Sequence, residues 1–219
     1  MMDLSITQQY LICAVNEKGI LSDFRMERKI CFIAAGLLDL KLENCILVDK
    51  KDITVLAPLP SGRDYLKPLY DFINQSKSVN IEKVVGAYLY SMTEKQFDEL
   101  FYSVGSTLEG AGLTEAGRAG LFGNRKSYIP ATAAINRIID MVRAELLEGG
   151  EVTEDIAALI ILLEKSKSLK NYFSGFEQKE MKNKLQEIVN LPEGKVVSDM
   201  IEYVDTMISV MTTMFVLFS

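Results

Sequence analysis

The most distinctive chemistry in the sequence lies between Ala116 and Ile139. These 24 residues contain no carboxylate but hold Arg118, Arg125, Lys126 and Arg137. Six of the chain's 14 glycines fall between Gly105 and Gly123. Leu121-Phe122-Gly123-Asn124-Arg125-Lys126 sets two apolar side chains beside a Gly-Asn pair and two cations. Gly-Asn suits a tight hairpin turn. This predicts a small hairpin with an apolar tip (Leu121, Phe122, Gly123, Asn124) and basic flanks (Arg118, Arg125, Lys126). Such a tip can enter a lipid interface while its cations meet anionic headgroups. Each cation contributes about 1 kcal/mol, and each buried Leu or Phe roughly 1.5–3 kcal/mol. That amounts to reversible attachment. The same apolar tip would also serve a protein partner or a second copy of the chain. The bland alternative is that Leu121 and Phe122 cover the core and the cations are only solvated.

A second group is Phe24, Arg25, Arg28 and Lys29, with Arg25 and Lys29 on one helical face. Cations beside an aromatic near a helix start can hold an anion. Asp23 and Glu27 partly cancel the charge, so a solvated face is the competing reading. No other constellation suggests chemistry. The chain has no histidine, which excludes Ser-His-Asp and Cys-His nucleophiles and histidine metal ligands. Asp39, Glu43, Asp98 and Glu109 show no acid/base pairing pattern. Phosphate-loop, dinucleotide and metal-loop motifs are missing. An enzyme is therefore not expected, nor a cofactor or metal.

These groups need elements to hold them. The 219 residues carry a net charge of −6, with 48% hydrophobic and 25% charged residues. That fits a single globular domain over residues 1–219, and the acidic total argues against a nucleic-acid partner. Cys13, Cys31 and Cys45 lie among apolar neighbours without a CxxC pair, which reads as reduced thiols in a cytoplasmic protein. The first nine residues do not resemble a signal peptide. The dominant period is helical. Ser5-Ile-Thr-Gln8 looks like a capping box, and a second helix is expected from about Arg25 to Leu38. Ile46–Val48 and Ile53–Leu56 are β-branched runs separated by Asp49-Lys-Lys-Asp52, which predicts a hairpin with a four-residue polar loop. Further helices are expected at about 63–75, 81–90, 94–108, 132–147, 156–164, 168–173, 178–189 and 196–218. Thr93-Glu-Lys-Gln96 offers another capping box, and Thr153 another cap. The apolar run Met207–Phe218 is too short to span a bilayer alone and reads as a buried last helix, with a membrane-dipping tail as the lesser reading. The fold class is mainly α with two small β-hairpins.

This order of elements resembles a known family. The residues that carry the resemblance are Glu17-Lys-Gly-Ile20, Cys31-Phe-Ile-Ala-Ala-Gly-Leu-Leu38, Leu40-Lys-Leu42, Ala111-Gly-Leu113 before the glycine-rich hairpin, Ala158-Leu-Ile-Ile-Leu162, and Ser168-Leu-Lys-Asn-Tyr-Phe173. The chain is similar, from about Ser5 to Ser219, to the Golgi phosphoprotein 3 family in the compact form found in bacteria. The resemblance implies a mostly helical domain around a central pair of hydrophobic helices, and peripheral attachment to the cytosolic face of a membrane. In eukaryotic members a basic pocket takes the headgroup of phosphatidylinositol 4-phosphate and an adjacent hairpin inserts. Those members also act as adaptors for glycosyltransferase tails. The hairpin maps onto about Gly117–Pro130, the pocket tryptophan near Phe24, and a pocket arginine near Arg28 or Lys29. A second pair of pocket arginines maps to about Asp98 and Phe101, with Glu99 between. Negative charge there would repel a phosphomonoester.

Overall fold

The computed structural model describes residues 4–120, 123–192 and 194–218. Leu121 and Phe122, at the expected hairpin tip, lie outside the described residues. Among those described are nine α-helices and two small antiparallel sheets, so the chain is mainly α. Helix α1 (Ile6–Ala14) is buried along its whole length. Ser5 caps it as the sequence suggests: its hydroxyl accepts from the Gln8 N–H, and the Gln8 side chain accepts from the Ser5 N–H at 3.1 Å. Two long apolar runs make the centre. Helix α2 (Met26–Leu42) buries every residue from Lys29 to Leu40, and α7 (Glu154–Lys165) buries Ile156 to Leu163. Apolar side chains on every face of these two runs match their burial. Thr153 caps α7 through its hydroxyl, as expected. A single cluster of apolar side chains runs from Ile6 to Met211.

Asp39 sits inside this core on α2. Its carboxylate accepts the Ile6 and Thr7 N–H groups at 3.0 Å each, and the Thr7 hydroxyl as well. It thereby satisfies donors that the first turn of α1 would leave unpaired. Burial pushes its pKa up, while the bonds from Thr7, Ser5 and Ile6 pull the other way.

The first hairpin pairs β1 (Ile46–Asp49) with β2 (Asp52–Val55) about a two-residue turn and not the expected four-residue loop, because Asp49 and Asp52 pair with each other and Lys50 turns the chain at φ 53°. The structure adds a strand that sequence reading missed: β3 (Val79–Asn80) pairs with β2. Two residues are too short to show a period-2 pattern. Helices α3 (Lys67–Asn74), α4 (Ile81–Leu89) and α5 (Lys95–Gly110) follow. Gly112, at φ 70°, reverses the chain from α5 into the second hairpin. There β4 (Thr114–Ala119) pairs with β5 (Arg125–Pro130) in a register that sets Arg118 opposite Lys126 and Ala116 opposite Tyr128. Helices α6 (Thr132–Leu146), α8 (Gly175–Val189) and α9 (Lys195–Phe218) complete the chain.

Helix α9 departs from the expected buried helix. Val204 and Met207 are fully buried, but Phe215, Val216 and Leu217 stand exposed. It is the one helix among the described residues long and apolar enough to cross a membrane, and 33% of its most apolar window is buried. All three cysteines are free and buried.

Candidate functional site

Tyr128 seats the second hairpin. Its N–H donates to the Gly19 carbonyl at 2.9 Å, and its hydroxyl donates to the Tyr102 carbonyl at 3.3 Å and meets the Ser106 hydroxyl at 3.0 Å. Its ring packs beside Phe101 at 5.6 Å between centroids. This fixes the base of the hairpin against α5.

Beyond that base three loops converge. They are the segment before α2 (Ser22–Arg25), the α4–α5 connection (Tyr90–Glu94) and the hairpin. Arg125 holds them together. Its guanidinium meets Asp23 at 2.9 Å, Asp98 at 3.2 Å and Glu94 at 3.4 Å. Lys29 adds a second tie, to Asp23 at 2.6 Å and Glu94 at 2.9 Å, with its ammonium over the Phe97 ring at 4.8 Å. Lys29 is 2% exposed. Burial opposes the charge on Arg125, but hydrogen bonding to Asp23 and the nearby Asp98 and Glu94 outweigh it and hold the guanidinium more firmly protonated. Burial pushes the Asp23 carboxyl up, yet Lys29 and Arg125 together hold it below its usual value. At Asp98 burial prevails over Arg125, and the pKa is raised.

The network therefore contains two cations and three carboxylates, a net charge of −1. Lys29 and Arg125, both expected to meet a headgroup, are matched by the protein's own acids. Asp98, near which the resemblance maps a pocket arginine, pairs with hairpin Arg125. Glu94 and Asp23 are network members that sequence reading did not assign. The Thr93–Gln96 capping box does not form: Glu94 itself occupies the cap at φ 48°, without a side-chain cap. A non-glycine residue in that region costs of order 1–3 kcal/mol, and its ion pairs hold it there. Asp23 stands near Lys29 in the sequence, but nothing in the spacing joins either to Glu94, Asp98 or Arg125.

Around the network stand exposed apolar and basic side chains. Phe24 is 98% exposed and Met92 fully so. Arg25, Arg118 and Lys126 are exposed, with no carboxylate within ion-pair distance among the described residues. The Lys126 ammonium lies over the Tyr102 ring at 5.6 Å. Arg118 and Lys126 flank a cavity of about 380 Å³ between the hairpin and α5, which Ser106, Glu109 and Tyr128 also line. Two like charges directly opposite on a hairpin destabilise it. Gly123, at φ 64°, and exposed Asn124 lead from the tip into β5. Arg28 points elsewhere: it donates through Nη1 to the Ala14 carbonyl at 2.9 Å. No cluster of metal-ligating side chains occurs among the described residues.

The family model described as Golgi phosphoprotein 3 (GPP34) matches residues 6–204. No curated protein matches the chain.

Proposed function

The chain belongs to the Golgi phosphoprotein 3 family, and from that premise we propose that it is a peripheral membrane protein that docks on anionic lipid through its second hairpin and the two loops beside it. The observation that carries this reading is that the loops tied by Arg125 present Phe24 and Met92 to solvent near Arg25, Arg118 and Lys126, which are exposed and make no ion pair among the described residues. An exposed apolar group ringed by charge marks a contact surface. Phe24 and Met92 would enter the interface, while Arg25, Arg118 and Lys126 meet headgroups. The ligand is a diffuse anionic surface and not a clamped phosphomonoester, because Lys29 and Arg125 already face three carboxylates. Phosphatidylinositol 4-phosphate is thus not singled out by this face.

Co-sedimentation with phosphatidylglycerol vesicles at low salt tests the proposal. Binding should fall with salt, since exposed charges are screened. It should vanish in a Phe24→Asp, Met92→Asp double variant and weaken in Arg118→Ala, Lys126→Ala. Binding unaffected by both variants would overturn it. A concentration-dependent oligomer that needs Phe24 and Met92, with no affinity for vesicles, would assign the face to self-association instead.

A further inference from the structure

Across the Ser22–Phe24 loop from the ion network lies a separate cavity of about 740 Å³. That volume is within the ~300–1,000 Å³ of ligand pockets. Ile12, Val15, Ile20, Ile129 and Ile135 supply apolar wall, and Arg28 is its partly buried cation. Glu17 and Lys18 also line it, exposed, and as adjacent opposite charges they leave its net charge unchanged. Several of the other polar groups around it are already engaged. Tyr172 donates to the Cys13 carbonyl at 2.8 Å, and the Asn16 side chain accepts from the Lys18 and Ile20 N–H groups at 3.0 and 3.3 Å. Asp23 turns its carboxylate to Lys29 and Arg125.

Arg28 is different. It is partly buried, and no carboxylate lies within ion-pair distance of it among the described residues. Nη1 is held by Ala14, while Nε is buried without a hydrogen-bond partner among the described residues. A desolvated cation without a counter-charge is costly, and a guanidinium matches a carboxylate in geometry. At the mouth, Ile129 is 43% exposed and Phe24 98% exposed. With Glu17 offsetting Lys18 and Asp23 turned to Lys29 and Arg125, one net cation beside aliphatic wall suits a monoanion with a hydrocarbon tail, whereas a phosphate dianion would meet too little positive charge.

We propose that this cavity binds a carboxylate amphiphile of the medium-chain alkanoate class, with the head on Arg28 and the tail along Ile129 and Ile135. This does not rest on the membrane reading, and the two can fail separately. The test is calorimetric titration of the full chain with submicellar decanoate, with decanol and inorganic phosphate as comparisons. Decanoate should bind at one site. Arg28→Gln should weaken it by roughly tenfold or more, the value of a charge-assisted hydrogen bond, and decanol should be weaker to a similar degree. Ile135→Trp, which fills the wall and leaves Arg28 in place, should also abolish binding and covers the case in which Arg28→Gln fails to fold. The Arg118→Ala, Lys126→Ala variant should bind decanoate normally. No decanoate binding by the folded chain, equal binding by Arg28→Gln, or phosphate binding as tight as decanoate would each overturn the proposal.

Discussion

The ring of Tyr128 lies so close over Gly105 that a Cβ there would stand 2.2 Å from its carbons. The hairpin is seated on α5 through the one residue type that leaves room for it. Gly105→Ala gains helix propensity but forces Tyr128 off its seat. Such overpacking costs about 1–3 kcal/mol. Gly110, the last residue of the same helix, has open space where its Cβ would be, and Gly110→Ala should stabilise by less than the roughly 0.5–1 kcal/mol of a mid-helix glycine. Urea denaturation of both variants checks the contrast. Hydrogen exchange at residues 125–130 should accelerate only in Gly105→Ala.

The acid side of the stability curve should depend on Asp23. Its carboxyl, and that of Glu27 beside Lys167, are held below their usual values despite burial pushing the other way. Below the unfolded-state value, about 3.9 for Asp, the unfolded chain binds more protons than the native one. The stability these groups contribute is present above that value and is lost as pH falls through the lower folded one. Asp39 and Asp98 shift the opposite way, so they oppose this loss. Asp23→Asn should therefore be less stable than the parent near neutrality, with the difference narrowing toward about pH 3. A constant difference in urea midpoint across that range would rule the linkage out.

Asp39→Ala should be among the most damaging single changes. It strips the Ile6 and Thr7 N–H groups and the Thr7 hydroxyl of their acceptor inside the core. A buried donor left unmet costs about 1–3 kcal/mol. Asp39→Asn should be milder, because its amide oxygen keeps part of the acceptance. Thermal unfolding of the two variants, in that order of severity, is the measurement.

How far the sequence foretells this molecule depends on how local the signal is. Periodicity and caps place α1, α2 and α7, since Ser5, Thr153 and the apolar runs act within a few residues. The hairpin at Thr114–Pro130 is legible for the same reason, through its glycines and missing acids. The ion network is not. Asp23, Glu94 and Arg125 are brought together only because α5 seats both the α4–α5 connection and the hairpin. The charge of Lys29 and Arg125 can be counted in the sequence, but whether it is spent cannot. Asp39 is similarly silent, because a buried carboxylate that caps a distant helix looks like any acid on a helix.

Arg118 and Lys126 offer a trade between stability and binding. They are directly opposite in the hairpin register, and no carboxylate relieves their repulsion among the described residues. Replacing Arg118 by Thr removes the like-charge pair and adds a residue that favours strands. The gain should be about 0.2–1 kcal/mol. The same change removes one headgroup contact, worth about 1 kcal/mol at an anionic surface, so vesicle affinity should fall by about fivefold. Lys126→Thr should behave alike, although it also gives up the contact with Tyr102. Combining the two substitutions should bring little further stability, since the repulsion is already gone, while the losses in vesicle binding should add. Measured together, unfolding midpoints and co-sedimentation separate a hairpin kept basic for binding from one whose charges are merely solvated: in the latter, stability rises and vesicle binding stays where it was.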